Sequence, residues 1–242
     1  MLRTIYFYIL LWVGLFLTLP AMAAVEIINI FSKDRSKVFS QRIARIWGRS
    51  VLSISGSRVE IRGLENIPEK GPVLLVSNHQ SNFDIPLILG YVNRPVGFLA
   101  KEELRKVPIV GRWMRHLNCV FMDRKNPRAA LKSIGKAAEA VKKGNSLCVF
   151  PEGTRSGEES MGEFKPGAFK IYTKSKVALL PLAIEGTWRI QGRDTLKVKP
   201  AKVKVSVLKA VNPESLPGRD TSKMAEIVKD QIEREGQNLR ED

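Results

Sequence analysis

Between Arg3 and Glu26 the chain carries no charged side chain, and the run is rich in Ile, Leu, Phe, Trp and Tyr. Wound as a helix, those ~22 residues would be about 33 Å long, enough to cross a bilayer or to lie deep in one leaflet. Ala21-Met22-Ala23 also has the small-x-small form of a signal-cleavage site. Residues 33–52 change pattern. Phe39, Ile43, Ile46 and Trp47 fall on one face at helical spacing, and Arg42, Arg45 and Arg49 on another. This predicts a basic amphipathic helix, lying on an anionic membrane surface or packed on a domain with its charged face solvated. The two segments read together as one docking unit, which favours a retained anchor over a cleaved signal. Whether the first helix spans or is half-immersed stays open. If it spans, the basic residues after it place the main domain in the cytoplasm.

From Val59 the pattern becomes globular. Apolar or alternating runs predict strands over 59–62, 73–76, 96–100, 119–122, 146–150, 177–184 and 203–207. Helical spacing predicts helices over 85–91, 110–116, 127–143, 165–175 and 221–236. Pro127 starts the third of these and Gly144 ends it. The strand–helix–strand succession implies parallel crossover units. The expected fold is α/β, a mostly parallel mixed sheet flanked by helices. Residues 1–58 form the membrane-docking helical pair and 59–242 the α/β domain.

Composition narrows the function. A chain of 242 residues, 44% hydrophobic, suits one α/β domain with a short appendage. The formal net charge of +16 calls for an anionic partner, a nucleic acid or an acidic membrane surface. No nucleic-acid-reading module accompanies the scattered basic residues. Cys119 and Cys148 both lie in apolar, strand-like segments and read as core residues, consistent with a reducing compartment. Two His and two separated Cys make a structural metal site a poor reading, and none is expected. Nucleophile-elbow and dinucleotide-binding glycine motifs are absent. The glycines at 162 and 167 have P-loop spacing, but Ala168 and Phe169 stand where Lys and Ser or Thr belong. His116 has no carboxylate at the spacing seen after His79 and reads as structural.

The candidate chemistry sits at two strand ends. NHQSNFD, residues 78–84, follows the apolar run 73–76 and puts His79 five residues before Asp84. A carboxylate on one ring nitrogen lets the other take a proton from an alcohol. The edge above a strand's C-terminal end is where α/β sheets usually place chemistry. By itself the spacing equally suits a helix-capping Asp and a turn His. FPEGTRS, residues 150–156, opens from another strand end with a carboxylate (Glu152), a glycine (Gly153), a hydroxyl (Thr154) and a guanidinium (Arg155). Arginine is suited to bidentate phosphate recognition, and a surface ion pair with Glu152 or Glu158 is the plainer use of it.

Together the two motifs resemble the glycerolipid acyltransferases related to 1-acylglycerol-3-phosphate acyltransferase. Four blocks occur in order: NHQSNFD, FLAKEELRKVPIVG at 98–111, FPEGTRS, and VALLPLAIEG at 177–186. The resemblance implies acyl transfer from a thioester of acyl carrier protein or coenzyme A, with no other cofactor, to the sn-2 hydroxyl of lysophosphatidic acid at an anionic phospholipid membrane. It implies His79 as base and Asp84 as its partner, with Glu152 and Gly153 lining the acceptor pocket beside Thr154. Arg155 is the first choice for the acceptor's phosphate, then Lys101, then Arg124. The catalytic domain is expected on the cytoplasmic side of the cell membrane. Alternatives are a different acceptor, glycerol-3-phosphate or another lysophospholipid, and a non-catalytic phospholipid-binding protein; nucleic-acid binding is a distant third.

Overall fold

The computed structural model describes residues 1–211, 216 and 218–241. In chain order the elements are α1 (Leu2–Leu17), α2 (Leu19–Phe31), α3 (Lys33–Ser55), β1 (Arg58–Arg62), β2 (Val73–Ser77), α4 (Asp84–Tyr91), β3 (Gly97–Lys101), α5 (Val110–His116), β4 (Val120–Met122), α6 (Pro127–Lys142), β5 (Leu147–Val149), α7 (Lys170–Ser175), β6 (Ala178–Glu185), α8 (Thr187–Ile190), β7 (Lys202–Val207) and α9 (Thr221–Glu241). The strands make one sheet in the order β1-β7-β6-β2-β5-β3-β4. β6 and β7 run antiparallel and the other neighbouring pairs parallel. The expected mixed, mostly parallel sheet is the fold.

β2 is central because its Val-Leu-Leu-Val run can be buried on both faces. Leu75 pairs with Cys148 of β5 on one side and Leu180 of β6 on the other. Leu74 and Val76 turn toward a core built with Ile134 and Val141 of α6, Ile171 of α7 and Val228 of α9. Val73 and Leu75 turn toward a second core containing Phe7 of α1, Leu52 of α3 and Leu87 of α4. Residues before 59 therefore share a core with the sheet. The helix expected over 165–175 is a 3-10 turn at Pro166–Phe169 followed by α7, and α9 runs on past residue 236 to bury Leu239.

The apolar N-terminal run is two helices broken at Thr18. Pro20 has no N–H for a continuing helix and sits at the start of α2, where that donor is not needed. The Thr18 hydroxyl donates to the Leu15 carbonyl (2.6 Å) and accepts from the Trp113 indole N–H (2.8 Å). Both helices lie lengthwise against α3. At one end Arg3 donates to the Ser55 carbonyl (3.0 Å); at the other the Ser36 hydroxyl donates to the Val25 carbonyl (3.1 Å).

α3 departs from a helix whose apolar face meets a membrane. Phe39 and Ile43 pack with Leu15, Met22, Val25 and Trp113. Gly48 lets α3 settle onto α4: a Cβ there would lie 2.4 Å from the Pro86 carbonyl oxygen. Arg49 donates to the Gly90 carbonyl (2.9 Å) and covers the Tyr91 ring. Protein covers most of that face, leaving Ile46 exposed. Most of the large apolar side chains left exposed among the described residues belong to α1 and α2, including Ile9, Trp12, Phe16, Ile27 and Phe31.

Candidate active site

β2, β5 and β6 are neighbours, and β2 runs parallel to both others, so all three deliver their C-terminal ends to one edge. The chain leaving β2 carries Asn78 and His79. Asn78 closes a pair of hydrogen bonds with β6: its Nδ2 donates to the Ile184 carbonyl (2.8 Å) and its Oδ1 accepts from the Ile184 N–H (2.9 Å). That extends the strand pairing by a side chain and fixes where the next residue emerges.

Asp84 is the first residue of α4 and is fully buried. Its Oδ2 accepts from the backbone N–H groups of Gln80 (2.8 Å) and Ser81 (3.0 Å) and lies 2.7 Å from Nδ1 of His79. Its Oδ1 accepts from the Thr187 hydroxyl at 2.5 Å. The capping alternative is not what forms: α4 has no side-chain cap, and the carboxylate at its first residue instead holds the preceding turn's N–H groups and the imidazole together. With Nδ1 committed, Nε2 is the nitrogen left for chemistry. The imidazole lies flat on Phe150, with ring centroids 4.1 Å apart.

The second motif is laced to the first. Ser156 N–H donates to the His79 carbonyl (2.8 Å) and Gly157 N–H to the Gln80 carbonyl (3.0 Å). Glu152 reaches beneath both loops. Its Oε1 accepts the His79 N–H (2.6 Å) and its Oε2 the Gly162 N–H (2.9 Å). Burial pushes the Glu152 carboxyl above its usual range, opposed by those two N–H donors. The alternative partner for Arg155, an ion pair with Glu152, is not formed, because Glu152 is spent on backbone donors.

His79 opens on a cavity of about 530 Å³. Lys101, Arg124, Thr154 and Arg155 line the same cavity. Of the other expected site residues, Asp84 and Glu152 stand behind the wall. Gly153 adopts a left-handed φ of +73°, and its carbonyl accepts from Arg124. Away from the cations the cavity is apolar, bounded by Ile43, Ala44 and Trp47 of α3, Ile85 and Leu89 of α4, and Trp113 and Leu117 from α5 and its end.

Matches to known proteins fit this geometry. The acyltransferase family model matches residues 58–185. A 1-acyl-sn-glycerol-3-phosphate acyltransferase of Pseudomonas aeruginosa is 36% identical over 184 residues, covering 75% of this chain and 70% of that protein. The solved 1-acyl-sn-glycerophosphate acyltransferase PlsC of Thermotoga maritima superposes with a TM-score of 0.87 at 31% identity, over 99% of this chain and 95% of that one. The chain belongs to the 1-acyl-sn-glycerol-3-phosphate acyltransferase family. It also matches a chloroplast family member, LPAT1 of Arabidopsis thaliana, at 34% identity over 191 residues. There it covers 78% of this chain and 53% of the relative, so the chain spans about half that protein's length.

Three residues at this site carry no motif in the sequence. Thr187 stands one residue beyond the fourth block, and its signal is position: it follows the end of β6, the strand next to β2. Arg193 and Asp194 line the cavity from the loop after α8, where no pattern marks them. The cysteines are free thiols: Cys148 is fully buried, and burial pushes the Cys119 thiol to about 12. His116 lies 3.8 Å from Glu26, outside the cavity; burial lowers its pKa, with Glu26 opposing.

Proposed function

We propose that the chain transfers a fatty acyl group from a coenzyme A or acyl-carrier-protein thioester to the sn-2 hydroxyl of 1-acyl-sn-glycerol 3-phosphate, giving phosphatidic acid. One observation carries the reading: an oriented His-Asp pair opens on a single cavity lined both by Lys101, Arg124 and Arg155 and by many apolar side chains. A lysophospholipid and an acyl thioester need those two environments side by side.

In the reaction, Nε2 of His79 takes the proton of the sn-2 hydroxyl as its oxygen attacks the thioester carbonyl. Asp84 stabilises the imidazolium across the 2.7 Å contact. The tetrahedral intermediate then collapses, the C–S bond breaks, and the imidazolium returns its proton to the departing thiolate. Proton and electron pair balance without a covalent enzyme intermediate. The phosphate is assigned to Arg155, supported by Lys101 and Arg124, because a phosphomonoester dianion is best met by guanidinium forks and an ammonium. The apolar part of the cavity takes the acyl chain.

The membrane geometry follows from packing. The most apolar 18-residue window of the run 2–31 has mean hydropathy 2.1 and is only 17% buried, so the run is long and apolar enough to cross a membrane. Yet α1 and α2 lie along α3 from end to end. A helix pair bound lengthwise to the domain enters one leaflet by its outer face rather than crossing. We read the catalytic domain at the cytoplasmic leaflet, where anionic lipid suits its basic excess.

The test is thiol release by the purified full chain in anionic liposomes, from palmitoyl-coenzyme A and from palmitoyl-acyl-carrier protein. Lysophosphatidic acid, glycerol-3-phosphate, lysophosphatidylglycerol or no acceptor is added. Release that depends on lysophosphatidic acid is expected and names the donor. Equal release without acceptor makes the chain a thioesterase, and silence with all donors makes it a lipid-binding protein.

A further inference from the structure

The loop 191–199 between α8 and β7 carries Leu196, which is 74% exposed. A single exposed leucine is ordinary on a protein surface. Its surroundings give this one meaning. Among the described residues, large exposed apolar side chains cluster in α1–α3, and Leu196 is joined outside them only by Leu104, at the cavity wall, and Leu131, on α6. The loop is fastened to α1: Val198 N–H donates to the Thr4 hydroxyl (3.2 Å), and the Gln191 amide donates to the Tyr8 hydroxyl (2.8 Å). Lys197 and Lys199 follow Leu196, and Arg193 lies three residues before it, next to the acidic Asp194.

An apolar tip among cations, attached to a helix whose outer face is itself apolar, is built for the boundary between headgroups and acyl chains. The same loop sends Arg193 and Asp194 into the wall of the cavity that His79 also lines. We propose that loop 191–199 is a second membrane contact, with Leu196 among the acyl chains and Lys197 and Lys199 on anionic headgroups. The contact holds the cavity mouth at headgroup depth, where a lysophospholipid presents its phosphate and hydroxyl. This inference rests on the one-leaflet reading of α1 and α2 and adds a contact to it.

The experiment places a polarity-sensitive fluorophore on Leu196→Cys in the full chain. A second variant, Ile9→Cys on the outer face of α1, reports docking of the helix pair. The parent chain, with Cys119 and Cys148 alone, gives the background. Vesicles of phosphatidylglycerol and phosphatidylethanolamine are added with and without brominated acyl chains. A blue shift and bromine quenching at both positions are expected. Quenching at position 9 without any at 196 overturns the loop contact while leaving helix docking intact. Silence at both overturns docking and the loop contact together. A shift at 196 produced by acyl carrier protein and not by vesicles would make the loop a carrier-docking surface instead. In kinetics, Leu196→Asp should raise the apparent KM for vesicle-borne lysophosphatidic acid about tenfold. It should leave turnover of a short-chain, water-soluble acceptor unchanged; an unchanged vesicle KM contradicts the proposal.

Discussion

Oε1 of Glu152 accepts the backbone N–H of His79 at 2.6 Å, so the third sequence block holds the main chain of the first. The family resemblance implies Glu152 at the acceptor pocket; its side chain bonds to the backbone N–H groups of His79 and Gly162. That bond ties the backbone from which the imidazole projects to the third block.

That position has a pH consequence. Burial is the largest influence on Glu152 and raises its carboxyl above the ordinary range. A carboxyl raised by folding binds its proton more tightly in the folded state. Its contribution to stability is full below the ordinary carboxyl range and is lost as pH rises through the folded value. The melting temperature of wild type relative to Glu152→Gln should therefore fall as pH rises from the ordinary carboxyl range, about pH 4, through the raised folded value. A difference that stays flat, or grows with pH, contradicts the assignment.

Thr187 donates to Asp84 Oδ1 from more than a hundred residues away in sequence. Asp84 keeps His79 and two backbone N–H partners when that hydroxyl is lost, so the pair should loosen rather than collapse. Thr187→Val should lower kcat about tenfold with little change in acceptor KM, while Thr187→Ser restores it. Loss in both variants, or a KM effect alone, would mean that Thr187 serves packing only.

Arg155→Ala should raise the KM for lysophosphatidic acid about 10- to 100-fold and leave kcat within about threefold, because a phosphate contact far from the reacting bond binds ground and transition states alike. An unchanged KM would move the phosphate to Lys101 and Arg124.

Ala44 lies on α3, facing the apolar part of the cavity. A Phe there should block the far end and shift donor preference toward shorter chains. Competition between dodecanoyl and palmitoyl thioesters measures it. A preference ratio identical to wild type would place the acyl chain elsewhere.

Much of this was legible in the chain. Apolar runs ending in polar turns located β2 and β5, and the His79–Asp84 spacing located a turn entering a helix, because those patterns are local. Helix faces were harder. The residues predicting an amphipathic α3 were read correctly as a helix, but its apolar side is covered by α1, α2 and α4, and only Gly48 and Gly90 hinted at so close an approach. The bond that Thr18 accepts from Trp113 depends on α5 reaching the helix break, and the Thr187 contact depends on β6 lying beside β2. Neither pairing has a local sequence signal.

The most direct test of the account is single-turnover thiol release with His79→Ala beside wild type, both confirmed folded by their melting temperatures, in liposomes containing lysophosphatidic acid. A general base held by Asp84 predicts a fall of at least about a thousandfold with acceptor KM little changed. Retention of more than about a tenth of the wild-type rate would contradict His79 as the base.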